Sequence, residues 1–218
     1  MEYAMIYGKK DEGKVELFVL GSLTIIGWAV LAPASFAKVT TASWFSAYIM
    51  GFFKLFFLGT LGEIIKYRII RGTWTLDKPF QRAFVWGFFG IWFTAAFPAF
   101  GAASQALIAK GLWPKFLPAL SASLSINLFG GFALFMMVVH EYGNFLIWNN
   151  WRKWSLTAFS QEVDKQFIFA YLPKTLLFWI PAHWFTYSQP PEWRVLIAAV
   201  LAIALGFFLS VGKRRAVA

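Results

Sequence analysis

The amino-acid sequence predicts an all-α fold: a polytopic bundle of about six transmembrane helices with one short amphipathic helix at the membrane surface. Three observations predict it. Hydrophobic residues make up 59% of the 218 and charged residues only 14%, against about a quarter charged in a soluble domain. That leaves too little polar surface to coat a water-soluble globule, and the mean hydropathy is +0.60. The apolar residues fall in runs close to the ~20 that a helix needs to cross hydrocarbon. Basic residues gather in alternate connectors, as they do when held on one side of a membrane. The 26 Phe, 12 Trp and 7 Tyr fit this setting, since Trp and Tyr favour the headgroup level. The chain reads as one membrane domain.

The first predicted span covers 15–33, with no charge after Glu16. Ala32-Pro33-Ala34 faintly resembles a signal cleavage site. However, Asp11 and Glu12 stand beside Lys9, Lys10 and Lys14, and a signal peptide starts plainly positive. The second span, 42–65, contains Lys54 and Glu63. The third covers 83–100 and the fourth 117–139, the latter with Ser121, Ser123, Ser125 and Asn127 along it. The fifth, 167–187, is interrupted by Pro173 and Pro181, and Pro181 is expected to kink it. Pro190-Pro191 end it, and the sixth span covers 193–211. The segment 149–166 is too polar to span. Phe159, Val163 and Phe167 recur there every four residues, which predicts an amphipathic helix on the cytoplasmic surface, preceded by Trp148, Trp151 and Trp154.

With both termini inside, this layout puts fourteen basic residues in the inner segments: Lys9, Lys10 and Lys14; Lys66, Arg68, Arg71, Lys78 and Arg82; Arg152, Lys153 and Lys165; and Lys213, Arg214 and Arg215. The outer segments hold three, Lys38, Lys110 and Lys115. The asymmetry explains the net charge of +10 without nucleic acid as a partner. Small residues supply the packing faces that helices need in lipid: Ala198, Ala202, Gly206 and Ser210 on the sixth span, Gly87 and Gly90 on the third, and Gly130-Gly131 on the fourth.

No cysteine is present, which removes disulfides and thiolate chemistry. No phosphate-binding loop, nucleophile elbow, dinucleotide fingerprint or zinc motif occurs. No catalytic residue, metal site or cofactor is therefore predicted. The polar residues inside spans are the functional candidates, because their burial in lipid must be offset. Lys54, Glu63, Asn127 and His183 are candidates to line a polar cavity between the second, fourth and fifth spans. For each a structural alternative stays open: Lys54 snorkels, Glu63 pairs with Lys66 or Arg68, and Asn127 and His183 join helices through hydrogen bonds. A candidate interfacial cluster comprises His140 and Glu141, at the close of the fourth span, with Lys66, Arg68, Arg71 and Arg82. The loop from Lys66 to Arg82 suits anionic lipid headgroups or phosphorylated solutes. Arg194 is expected to anchor the sixth span at the outer interface.

Several short elements occur in a shared order. Gly59-Thr60-Leu61-Gly62-Glu63-Ile64-Ile65 is followed by Asp77, Arg82 and Gly87. Trp179-Ile180-Pro181 then precedes Pro190-Pro191-Glu192-Trp193-Arg194, and the last span closes on Leu209-Ser210. In these the chain resembles the Mpv17/PMP22 family of small membrane proteins, with Gly62, Glu63, Trp179, Pro181, Pro190 and Arg194 as the motif positions. Glu63 stands where the family has Asp, and the family's His-x-Trp-Tyr element is absent. The resemblance implies a divergent, prokaryotic-type member that acts as a channel or permeation pathway for small solutes. It implies no catalytic residues. The expected location is a bacterial cytoplasmic membrane, with the peroxisomal or mitochondrial inner membrane as the alternative. Expected partners are membrane lipid, a small solute and, as an open option, further copies of the chain. Two other functions compete: a membrane enzyme on a lipid or lipid-linked substrate using Glu63, His140 or His183 as general base, and a structural subunit.

Overall fold

A computed structural model describes residues 12–115 and 117–217, with side chains at all of these except 12, 13, 167, 206 and 208–217. Lys9 and Lys10 lie outside the described residues, as do the side chains of Phe167, Leu209, Ser210, Lys213, Arg214 and Arg215. Among the described residues the fold is all helix, with no strand. The elements are α1 (Glu12–Leu31), α2 (Pro33–Thr41), α3 (Trp44–Arg71), α4 (Pro79–Ala109), α5 (Pro118–Leu124), a π-helical turn (Ser125–Phe129), α6 (Phe132–Trp148), α7 (Leu156–Glu162), α8 (Lys165–Tyr187) and α9 (Pro191–Val217). Among the described residues three helices are long and apolar enough to cross a membrane: α1 (from Lys14), α3 and α4. A fourth span is completed if α5 with its π turn and α6 are counted as one bent crossing. Large apolar side chains point outward from these helices, among them Leu20, Trp44, Phe45 and Phe88. The molecule is a membrane-embedded helical protein.

The chain forms two compact units, Met1–Gly90 with Ala199–Ala218, and Ile91–Ala198. The boundaries fall within α4 and α9.

In the first unit α1 packs on α3 through a phenylalanine-rich core. Phe18 is fully buried, with its ring 5.8 Å from Phe56 and 5.7 Å from Phe80. Ser43 starts α3 through a capping box with Ser46, which satisfies donors that a helix N-terminus leaves open. Gly72 stops the helix in the left-handed conformation, φ 77°, its N–H donating to Arg68 O. So α3 runs six residues past the predicted span, and Lys66, Arg68 and Arg71 occupy its last turns rather than a loop. Cationic side chains are favourable there against the helix dipole. The nine-residue α2 was not anticipated. Pro33 opens it at a position where a missing N–H costs nothing, and it buries Phe36 and Thr40 one turn apart.

In the second unit the predicted continuous fourth span is broken. Gly130 N–H reaches back five residues to Ser125 O, 3.0 Å away, closing the π turn. Gly131 then takes φ 58°, a conformation that glycine adopts without steric cost. The chain bends by 49° there before α6 begins. Gly130-Gly131 thus make a break as well as a close contact: a Cβ on Gly130 would run into the Phe100 ring and Ile126 O. Helix α6 continues to Trp148, so His140 and Glu141 lie within it rather than at its end. The amphipathic helix is shorter than 149–166. It spans Leu156–Glu162, is capped by Ser155, and ends before Val163. Phe159 is its buried residue, set against Tyr142 and Phe145 of α6. Trp154 and Leu156 are exposed.

Candidate functional site

The polar candidates separate into two clusters, one in each unit. In the first, Glu63 is buried, 6% exposed, on the face of α3 that also carries Gly59. Arg82 and Trp86, one turn apart on α4, reach the same carboxylate. Arg82 Nη1 donates to Glu63 Oε2 at 3.1 Å, and Trp86 Nε1 donates to Oε1 at 3.1 Å. Arg82 is itself 4% exposed, and its Nε donates to Asp77 O at 2.8 Å. Both carboxylate oxygens and two arms of the guanidinium are thereby engaged, as a buried ion pair requires. Gly59 has a specific role here: a Cβ on it would strike the Trp86 ring. Gly62 meets a different neighbour, since its Cβ would lie 3.3 Å from Cα of Ile203. The sequence suggests Lys66 or Arg68 as the partner of Glu63 and an interfacial place for Arg82. Arg82 instead turns inward. Arg68 donates to Gly72 O and lies over Trp74, while Arg71 lies over Tyr67. Trp86 was missed, although its four-residue spacing from Arg82 was a signal.

Lys54 is 1% exposed. Its Nζ is 3.4 Å from Thr40 Oγ1 and 4.5 Å from the Phe36 ring centre. Thr40 and Phe36 both come from α2, a helix that the sequence pattern does not signal.

The second cluster brings together two predicted residues, Asn127 and His183. The π turn delivers Asn127 Nδ2 to within 2.9 Å of His183 Nδ1 on α8 and 2.9 Å of Ser123 O, with Trp179 O at 3.4 Å. Ser123 Oγ donates to Ile180 O at 2.6 Å. The Ile180 carbonyl, next to Pro181, thus accepts a side-chain donor from α5. Aromatic rings hold His183 on three sides: Trp179 stacked at 4.8 Å, Phe132 edge-on at 4.3 Å and Phe97 edge-on at 5.5 Å. His183 is fully buried, and Asn127 and Ser125 are each 2% exposed. Within this packing His183 Nε2, Asn127 Oδ1 and Ser125 Oγ have no hydrogen-bond partner. Buried polar atoms left open in this way are uncommon and call for a cause.

The remaining candidates have structural surroundings. His140 Nδ1 lies 3.5 Å from Glu141 Oε1, with Asn144 Nδ2 3.4 Å from each, near the surface of α6. These residues belong to the second unit, and Lys66, Arg68, Arg71 and Arg82 to the first. Arg194 clasps the α8–α9 turn at Pro190. It donates to Gln189 O at 3.1 Å and Tyr187 O at 3.3 Å, and its guanidinium lies over the Tyr187 ring. Among the described residues no three His, Asp or Glu side chains gather as a metal site would need. No protein-family model, no curated protein and no solved structure matches the chain.

Proposed function

We propose that the chain is an Mpv17-like permeation protein, a passive membrane pathway for small polar solutes with no catalytic residue. The observation that carries the reading is the broken helix. A π turn followed by a left-handed glycine, in a chain built for lipid, presents Asn127 to a buried histidine and leaves polar atoms open around it. Such turns gather at functional sites. Interrupted helices carrying polar residues recur at the binding sites of membrane transporters. A helix that served only to fill lipid would gain from neither the break nor the open polar atoms. The proposal includes six crossings, formed by α1, α3, α4, the bent α5–α6 pair, α8 and α9. It also places the basic connectors and both termini on the cytoplasmic side of a bacterial membrane. Lys54, under α2, would set charge selectivity in the first unit.

The test is solute flux in proteoliposomes. Wild type should carry glycerol or urea at least several-fold faster than protein-free vesicles. His183→Phe should reduce that flux, and Lys54→Met should alter preference between charged and neutral solutes. Flux equal to that of empty vesicles, for wild type across a panel of small solutes, would overturn the proposal.

A further inference from the structure

The start of α1 meets the end of α3 in the first unit, where Val15 packs in one cluster with Ile64 and with Leu76 of the stretch after α3. The surface there is hollowed into an open groove of about 390 Å³. One wall is a single face of α1, made by Val15, Glu16, Val19 and Leu20, and the other is Trp74. Val15 is buried, whereas Leu20 and Trp74 are exposed. The α1 wall covers about 7 Å of helix and leads from Glu16, the last charged residue of α1, into its apolar part. Glu16 is also the one charged residue that lines the groove. It is exposed, and its carboxylate has no hydrogen-bond or ion-pair partner among the described residues. A cation stands against the other wall: the exposed Arg68 guanidinium lies 5.4 Å from the centre of the Trp74 ring.

In a membrane, lipid covers an outward-facing apolar groove. An acyl chain gains no hydrophobic free energy by moving into it from neighbouring lipid, so selectivity must come from the headgroup. An ionised carboxylate only accepts hydrogen bonds and asks for an N–H donor. A guanidinium pairs with phosphate oxygens. We infer that the groove seats one acyl chain of a phospholipid with a primary-amine headgroup, of the phosphatidylethanolamine type, whose ammonium donates to Glu16 and whose phosphate accepts from Arg68. Phosphatidylcholine has no N–H to give Glu16, and phosphatidylglycerol brings a phosphate without a cation to match the carboxylate. The inference needs only the membrane setting and does not depend on the permeation reading.

Native mass spectrometry of the full chain in detergent tests it, with the three lipids supplied in equal amounts and with identical acyl chains. Wild type should retain one phosphatidylethanolamine in preference to phosphatidylcholine. Glu16→Gln should remove that preference, a loss of about two- to fivefold, without lowering phosphatidylglycerol, and Glu16→Asp should keep it. Arg68→Gln should lower both phosphatidylethanolamine and phosphatidylglycerol roughly fivefold. Leu20→Trp, which fills the groove, should lower all three lipids, while Leu23→Trp, on an exposed part of α1 that does not line it, should lower none. Equal retention of phosphatidylethanolamine by wild type and Glu16→Gln would overturn the inference, as would full retention in Arg68→Gln or Leu20→Trp. A tightly held phosphatidylglycerol in wild type would give the groove to an anionic lipid, and a dimer mass abolished by Leu20→Trp would give it to a second copy of the chain. Either result would also overturn it.

Discussion

Removing one partner of the Glu63–Arg82 pair should destabilise the protein far more than removing both charges. The two side chains are 7% and 5% exposed and 3.1 Å apart. Arg82→Met leaves the Glu63 carboxylate buried without its guanidinium, which costs about 3–5 kcal/mol for a pair this deep. Glu63→Gln preserves an acceptor for Trp86 Nε1 but leaves a buried guanidinium facing a neutral amide, and its cost is of the same order. In the double variant neither charge remains, and the amide introduced by Glu63→Gln still accepts from Trp86. The bond from Arg82 Nε to Asp77 O is lost, at about 1–3 kcal/mol, and so is the guanidinium's place over the Tyr67 ring. The singles therefore sum to roughly 6–10 kcal/mol while the double costs a fraction of that. For a chain of this size each kcal/mol moves Tm by roughly 2–4 °C, so each single should lose about 6–20 °C. Thermal melts followed by circular dichroism in one detergent measure all four proteins. If the double variant lost as much as the two singles added together, Glu63 and Arg82 would not be acting as a buried pair.

Two other perturbations test the packing and the lipid contact. Gly90→Leu should destabilise by at least about 1–3 kcal/mol, because a Cβ there runs into the carbonyl of Gly51, which is backbone and cannot rotate away. Gly27→Leu, where nothing lies within 4 Å, is the matched control and should melt like wild type. Replacing Arg68 and Arg71 by Gln should weaken retention of anionic lipid roughly fivefold per residue, corresponding to about 1 kcal/mol each. Mass spectrometry of lipid retained by the purified protein at low salt reads this, and the difference should shrink as salt is raised.

Hydropathy located the lipid-buried parts of α1, α3 and α4 but not their ends. The ends answer to local stereochemistry. Gly72 terminates α3 after three basic residues that a hydropathy count assigns to a loop, although Lys and Arg are good helix formers. Helix α2 was missed because its apolar content is one phenylalanine, one valine and three small or proline residues, too little for a periodic signal. The Gly130-Gly131 pair is ambiguous in any membrane helix, since glycine serves close packing and chain breaks equally well. Sequence spacing singled out Asn127, His183, Lys54 and Glu63 as polar residues in apolar surroundings. It did not reveal that Trp86 shares Glu63 or that Thr40 meets Lys54.

The chain's chemical make-up alone determined that it is a helical membrane protein, because transfer into hydrocarbon is additive over residues and needs no knowledge of neighbours. Tertiary structure alone decided which polar groups meet. Partnership depends on how each helix is rotated about its axis, and helices such as α1, α4 and α8, apolar almost all round, carry no contrast between faces to specify that rotation. Close backbone contacts such as Gly90 against Gly51 set the rotation instead, and with it the placing of Glu63 on Arg82. The π turn belongs to the same tertiary order, for it puts Asn127 on His183.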